Sequence, residues 1–336
     1  MKIIEVIADE GHCDTIAGIA EQHQAEDIWF GLENEDGRIA ARILVSPEKR
    51  QQVLDALQAV LQSSENYRIL IIQLDTVLPK LSEPEEKLSE EEEKNRKKAA
   101  LMTTREEIIA QVEKDTQLDN NFVLLVILSA IVAAIGLLEN NIAVIVGAMV
   151  IAPLLGPNIA FSLGASLGEK QLVIDSLKTI FVGITIAILL SIGIGLIWPG
   201  SFDSLELMSR TDVEYSGTAI ALASGAAASL SLVSGTSSVL VGVMVAVALM
   251  PPAVTIGLML SISSYDHAAG AALLLAVNIV CINLSAKLVF LLRGIKPRTW
   301  LEAHKAKQSQ VLYIVIWIVM LALLIVAIYL RHKTLA

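Results

Sequence analysis

Apolar positions are distributed along this chain in two ways. Up to about residue 78 they come in short runs and at helical spacing, as in a water-soluble fold; from about residue 121 they come in blocks long enough to cross a bilayer. In the first part, Lys2 to Ala8 is a β-branched run that predicts a strand, and Ile16, Ile19 and Ala20 share a helical face behind Asp14 or Thr15 as cap. Asp27 to Leu32 and Arg38 to Val45 flank Asn34-Glu35-Asp36-Gly37, whose Asp-Gly pair supplies the positive φ of a hairpin turn. Ser46-Pro47 opens a second helix with Val53, Leu54, Leu57, Val60 and Leu61 on one face, and Tyr67 to Leu74 closes the unit as a buried strand. The order βαββαβ predicts a ferredoxin-like α+β domain over residues 1–78. A fold of that kind names no function, and a ligand-sensing or interface role is the expectation.

Residues 79–120 read as a linker. After Pro79 and Pro84, Glu90, Glu92 and Glu93 each stand four residues before Lys94, Arg96 or Lys97, and Ser89 with Glu92 forms a capping box, which together predict a solvated charged helix. A second capping box, Thr104 with Glu107, starts an amphipathic helix bearing Ile108, Ile109 and Val112, expected near the membrane surface or on the front domain.

Beyond it, seven apolar segments can be drawn, at about 121–138, 142–168, 172–198, 217–233, 237–261, 268–292 and 311–330. The fourth is rich in Ala, Ser and Gly, and its acceptance rests on an internal echo. Val146 to Pro157, VGAMVIAPLLGP, returns as VGVMVAVALMPP at Val241 to Pro252, with six of twelve positions identical and Gly147, Met149 and Pro157 recurring 95 residues on as Gly242, Met244 and Pro252. The echo predicts two membrane repeats, residues 121–198 and 217–292, followed by a C-terminal helix over 311–330. Three crossings per copy make the second copy enter the membrane the other way up, so the repeats are expected to be inverted. In transporters of that build, substrate sites lie near the midplane at helices interrupted by Pro or Gly.

Both echoes carry such breakers, Pro153, Gly156 and Pro157 in the first and Pro251 and Pro252 in the second, near the centres of their segments. A proline there frees carbonyls that hydrocarbon cannot satisfy, so the break must face protein or a wet cavity. The plain alternative is a packing kink. The polar residues nearest in depth are Asn158 and Thr255, with Asn278, Asn283 and Ser285 inside the sixth segment, where helix–helix hydrogen bonding is the alternative to binding. Lys287 is expected to snorkel to the interface, Asp175 and Lys178 to form an interfacial ion pair, and Glu139 to be a loop carboxylate. Small-residue pairs at Gly164/Gly168, Ala223/Ala227 and Gly242/Ala246 allow close helix contact, within one chain or in a homo-oligomer.

Composition adds the orientation. With 54% hydrophobic residues, the chain reads as a multi-pass α-helical membrane protein with the lipid bilayer as a partner. Residues 1–120 hold 14 Lys+Arg against 26 Asp+Glu, while residues 121–336 hold 11 against 9. The basic residues cluster before the first segment, at Lys170, and at Arg293, Lys296, Arg298, Lys305 and Lys307. The acids Glu139, Asp203, Glu206, Asp212, Glu214 and Asp266 fall in the alternate loops. That asymmetry puts the front domain in the cytoplasm and the body in the cell (inner) membrane, with Arg331 and Lys333 as exceptions; the N-terminus has no signal-peptide pattern. A net charge of −10 gives no support to nucleic-acid binding. Gly11-His12-Cys13-Asp14 offers a thiolate and an imidazole to a soft metal, but no second Cys stands at ligand spacing, so the expectation is structural, with no metal and no cofactor. No hydrolase constellation or P-loop is evident, and no enzyme activity is expected.

The acidic front, the charged linker and the pair VGAMVIAPLLGPNIAFSLG and VGVMVAVALMPPAVTIGL resemble the prokaryotic hydrophobic-protein family catalogued as domain of unknown function 389. The resemblance covers about residues 120–290, with Met149 to Pro157 as its most specific part; Ala248 stands where Pro153 would repeat and Pro251 where Gly156 would. It implies membrane location and names no substrate. The resulting expectation is a passive or ion-coupled transporter for a small polar or anionic solute, against a channel or a membrane-anchored sensor of a ligand or of the bilayer. The anionic lean comes from the N–H groups that a broken helix presents.

Overall fold

The computed structural model describes residues 2–34, 36–62, 64, 66–74, 77, 104–213, 215–234, 239–295 and 315–331, without side chains at 215 and 239–248. The charged linker with its Ser89–Glu92 capping box, Glu214, the basic cluster from Lys296 to Lys307, Lys333 and the side chain of Ala246 lie outside these residues. Contacts divide the chain into two units, Met1–Arg105 and Glu106–Ala336.

In the first unit, strands β1 (Lys2–Asp9), β2 (Asp27–Phe30), β3 (Arg38–Val45) and β4 (Arg68–Gln73) form a sheet in the order β2-β3-β1-β4, with every neighbour antiparallel. Alternation along β1 sends Ile4, Val6 and Ala8 to one face, where they meet Ala41, Ile43 and Val45 of β3. Helices α1 (Cys13–Gln22) and α2 (Arg50–Leu61) cover that face with Ile16, Ile19, Val53, Leu54, Leu57 and Leu61. Each such side chain contributes on the order of 1.5–3 kcal/mol by leaving water. The turn chemistry acts as expected at Gly37, whose φ is +76°.

Three local expectations need correction. His12 stands at the N-cap of α1, after a 3₁₀ turn Glu10–His12, so Asp14 lies in the first turn and is not the cap. The second helix starts at Arg50, three residues beyond Pro47, because Ser46 to Lys49 first close a turn (Lys49 N–H to Ser46 O, 3.2 Å). Val60 is exposed on α2, and Leu70 and Ile72 are exposed on β4, which is an edge strand and not a buried one.

The second unit is helical: α3 (Arg105–Thr116, its first residue in the first unit), α4 (Asn120–Leu138), α5 (Ile142–Ile151), α6 (Leu155–Leu167), α7 (Lys170–Ile197), the one-turn α8 (Leu205–Met208), α9 (Tyr215–Val233), α10 (Val239–Ser261), α11 (Tyr265–Leu292) and α12 (Val315–Arg331). Among the described residues four helices are long and apolar enough to cross a membrane (α4, α7, residues 216–233 of α9, and α11), or five if the bent pair α5–α6 is one span. Asp119 caps α4 through Phe122 N–H, Asn141 caps α5 through Val144 N–H, and Gly168 ends α6 at φ +79°.

Close approaches fix the helix directions. A Cβ on Gly257 of α10 would run into Ile188 O and Ser191 Cβ of α7, and one on Gly195 would run into Ser261. Residues 257 and 261 thus climb α10 as 188–195 climb α7, and the two helices run in the same sense. After the turn at Ser263 (φ +58°), α11 returns beside α10, so α11 runs opposite to α7. Helix α9 packs along α11, with Ala221, Leu274, Val277 and Cys281 sharing a core with Ile328 of α12.

Candidate functional site

The break between α5 and α6 follows from its prolines. Ala152, the residue before Pro153, is held at φ −64°, ψ 118°, extended as a following proline requires, and α5 ends there. Leu154 stands at the N-cap of α6, so Pro157 falls in the first turn, where a backbone N–H has no intrahelical acceptor to lose. The two axes meet at 51°. Gly156 is required by contact: a Cβ there would lie 2.7 Å from both Cβ and O of Asp115 on α3. The backbone at the end of α3 is therefore packed directly on the first turn of α6. Although Asp115 is exposed as a residue, desolvation of its carboxyl raises the pKa, with Lys114 pulling the other way.

The break sits against Gly183, where an added Cβ would lie 2.9 Å from Leu154 and 3.2 Å from Phe122. Gly183 is halfway along the 28-residue α7, but Phe122 is only the third residue of α4.

One turn into α6 the polar residues begin. Asn158 is 1% exposed; its Nδ2 donates to Leu154 O at 2.9 Å, and its Oδ1 accepts from Asn283 Nδ2 of α11 at 3.3 Å. Asn283, also 1% exposed, donates to Ile279 O at 2.8 Å, and its Oδ1 accepts the hydroxyl of Ser162 at 2.6 Å. Ser166 then donates to Ser162 O at 2.8 Å, extending the polar line along α6. Two of the expected residues, Asn158 and Asn283, are thus directly bonded across a buried helix pair. Ser162 joins them and was not anticipated, although its place four residues after Asn158 puts it on the same helical face.

The other expected residues are placed differently. Pro251 and Pro252 lie inside α10, which continues through them, so the expected second broken helix is absent. Both prolines are buried, as is every residue from Leu249 to Met259. Thr255, a turn beyond, is fully buried, and its hydroxyl has no hydrogen-bond partner. Ser285 satisfies itself on its own helix, donating to Cys281 O at 2.8 Å. Asn278 is buried on α11, with Ser285 on the same face. Lys287 is 2% exposed and does not snorkel. Asp175 and Lys178 pair at 3.5 Å on an exposed face, as expected.

In the first unit, burial and the neighbouring Glu10 and Asp14 raise the Cys13 pKa, which works against the thiolate a soft metal would need. Among the described residues no group of three or more His, Cys, Asp or Glu is arranged to hold a metal ion.

The chain is similar to an uncharacterised protein of Methanocaldococcus jannaschii, with 32% identity over 303 residues, covering 90% of this chain and 91% of that protein. No solved structure matches it. The family signature described as Domain of unknown function (DUF389) matches residues 149–284, a stretch that begins in the first echo and contains Asn158, Thr255, Asn278 and Asn283. With a helix break in its most specific motif and a relative alike over nearly its whole length, the chain belongs to the DUF389 family.

Proposed function

We propose that this protein is a membrane transporter for a small polar solute, passive or ion-coupled, whose site is the buried amide–hydroxyl cluster of Asn158, Ser162 and Asn283, with the orphan hydroxyl of Thr255 on α10 as a further polar group on the path. The observation that carries the reading is the cluster itself. Amides and hydroxyls buried between apolar helices one turn from a helix break are costly unless they bind something or one another. Asn158 keeps a second amide N–H and Thr255 its whole hydroxyl for a ligand. The amides and hydroxyls of the cluster carry no formal charge and can both donate to and accept from a solute, which suits a small polar molecule.

Within this proposal the body is seven spans, built as two inverted three-helix repeats over 121–198 and 217–292 plus a C-terminal helix. Two contacts support the inversion. Ser162 of the first copy meets Asn283 of the second, and Gly257 meets Ile188; moving 162 forward by 95 gives 257, and moving 283 back by 95 gives 188. A twofold that exchanges the copies turns one contact into the other, and the opposite directions of α7 and α11 agree with it. The front unit is ferredoxin-like, faces the cytoplasm by the distribution of basic residues, and regulates or assembles the transporter in the inner membrane.

The test is reconstitution. Liposomes holding the full chain, challenged with urea, glycerol and acetate in stopped-flow swelling, should take up at least one neutral solute saturably and faster than empty liposomes. Asn283→Leu should remove that flux. Unitary currents in a planar bilayer would replace the transporter with a channel. Absence of any flux, together with a ligand-dependent change in the front unit, would replace it with a sensor.

A further inference from the structure

Helix α12 belongs to neither echo, and it packs on the body by one narrow seam. Trp317, Leu321, Leu324, Ile328 and Arg331, alternately four and three residues apart, are its buried and half-buried positions; Ala327 apart, the rest of the helix is exposed. At one end, Arg331 Nη2 donates to Asp266 O at 2.9 Å, and a Cβ on Gly270 would collide with the guanidinium. In the middle, Leu321, Leu324 and Ile328 pack on Ala221 of α9 and on Leu274, Val277 and Cys281 of α11. At the other end the seam leaves the second copy. Trp317, 9% exposed, meets the ring of Phe161 on α6 edge-on, with the centroids 5.8 Å apart.

These contacts fix the depth of each end. Arg331 lies beside residues 266–270 of α11, and Trp317 is about 21 Å away along α12 at the rise of an α-helix. Helix α12 therefore runs opposite to α11 and reaches the level of Asn283. Phe161 agrees, since it precedes Ser162, whose hydroxyl bonds Asn283. The helix thus straps α6, from the first copy, to α9 and α11, from the second, with its last contact at the depth of the amide–hydroxyl cluster. A twofold that exchanges the copies would exchange α11 with α7, yet 72% of the apolar stretch of α11 is buried against 28% for α7. A one-sided strap makes the two exchangeable states unequal in energy.

We propose that α12 is a latch: Trp317 seated on Phe161 holds α6 against α11 in the state where α5–α6 is broken, and its release lets the copies move and admits water to the cluster. The latch rests on the two-copy reading of the membrane body. Packed interfaces switch between discrete arrangements and do not deform continuously, so one ring pair at the end of the seam weights the balance.

The test reads water access and not flux. Ser162→Cys in a Cys13→Ser, Cys281→Ala background gives a full chain with one thiol, at the cluster; Ala133→Cys in the same background, on α4 and 0% exposed, is the control. In proteoliposomes treated with a water-soluble methanethiosulfonate, Trp317→Ala should speed labelling at position 162 by roughly two- to tenfold, the population shift expected on losing an aromatic pair. Labelling at position 133 should not change. Trp317→Phe keeps a ring on Phe161 and should label at the parent rate, while Phe161→Leu, which removes the contact from the other side, should label as fast as Trp317→Ala. Equal labelling of position 162 with and without the ring pair overturns the latch. So does an equal rise at position 133, which would make Trp317 a general packing residue. Faster labelling in a chain that moves no solute keeps the latch and removes the transport reading; flux with labelling insensitive to both rings does the reverse.

Discussion

The two echoes of one sequence pattern end in different backbones. In the first, α5 stops at Ala152 and α6 restarts at a 51° angle; in the second, α10 runs through Pro251 and Pro252 without interruption. Proline count does not separate them, since each copy has two. Spacing does. Pro153 and Pro157 are four apart, so one ends a helix and the other falls in the first turn of the next, where its missing donor costs nothing. Pro251 and Pro252 are adjacent, and in a continuous helix they deprive the carbonyls of Val247 and Ala248 of their donors. Helix α10 is held through that defect by its surroundings: Leu249, Met250, Ala253 and Val254 are each 0% exposed, and Gly257 lets α7 approach to backbone contact. A break is thus written into the first copy and only latent in the second. If the copies are an inverted pair, that asymmetry is what two exchangeable states would leave in one structure: the opposite-facing state would bend α10 and straighten α5–α6.

Five tests probe this contrast. The largest effect belongs to Asn283→Leu, which strips Asn158 Oδ1 and the Ser162 hydroxyl of buried partners and should lower stability by about 2–4 kcal/mol, read as a drop in Tm in detergent. A normal Tm would mean that water or another group serves these atoms. Next comes Gly156→Ala, whose Cβ meets Asp115 at 2.7 Å and should cost about 1–3 kcal/mol, whereas Gly147→Ala on α5, with nothing within 4 Å, should be neutral or stabilising. Equal Tm values for the two would detach the break from α3. The double change Pro251→Ala with Pro252→Ala returns two donors to α10 and should stabilise it by about 1–3 kcal/mol, while abolishing flux if α10 must bend. Unimpaired flux in that variant would remove the latent hinge.

Thr255→Val keeps the shape, removes a fully buried hydroxyl that has no partner, and should raise stability by up to about 1 kcal/mol while weakening solute uptake. Increased uptake would place Thr255 outside the path. The smallest effect is at Asp115. Its raised pKa means that, relative to a free carboxyl, it favours the fold below the ordinary carboxylate pKa, and this advantage is lost as pH rises through the raised value. Asp115→Asn should therefore raise Tm slightly at pH 7 and not at pH 3; a rise at both would assign the effect to packing.

Apolar periodicity and turn chemistry sufficed for the order of elements in the first unit, for the apolar segments of the second, and for the helix stop at Ala152, because these depend on residues within a few positions of one another. Asn158 and Asn283 were legible singly, as amides where hydrocarbon forbids unpaired ones. Their bond across 125 residues, the inclusion of Ser162, and the enclosure of Lys287 were decided by how α6 and α11 pack. The same holds for the second echo. The sequence determined that Pro251 and Pro252 remove two donors, and the close packing of α7 and α11 around α10 decided that the helix would bear the loss. Local chemistry sets what a break costs, and only the neighbouring helices determine whether the backbone gives way.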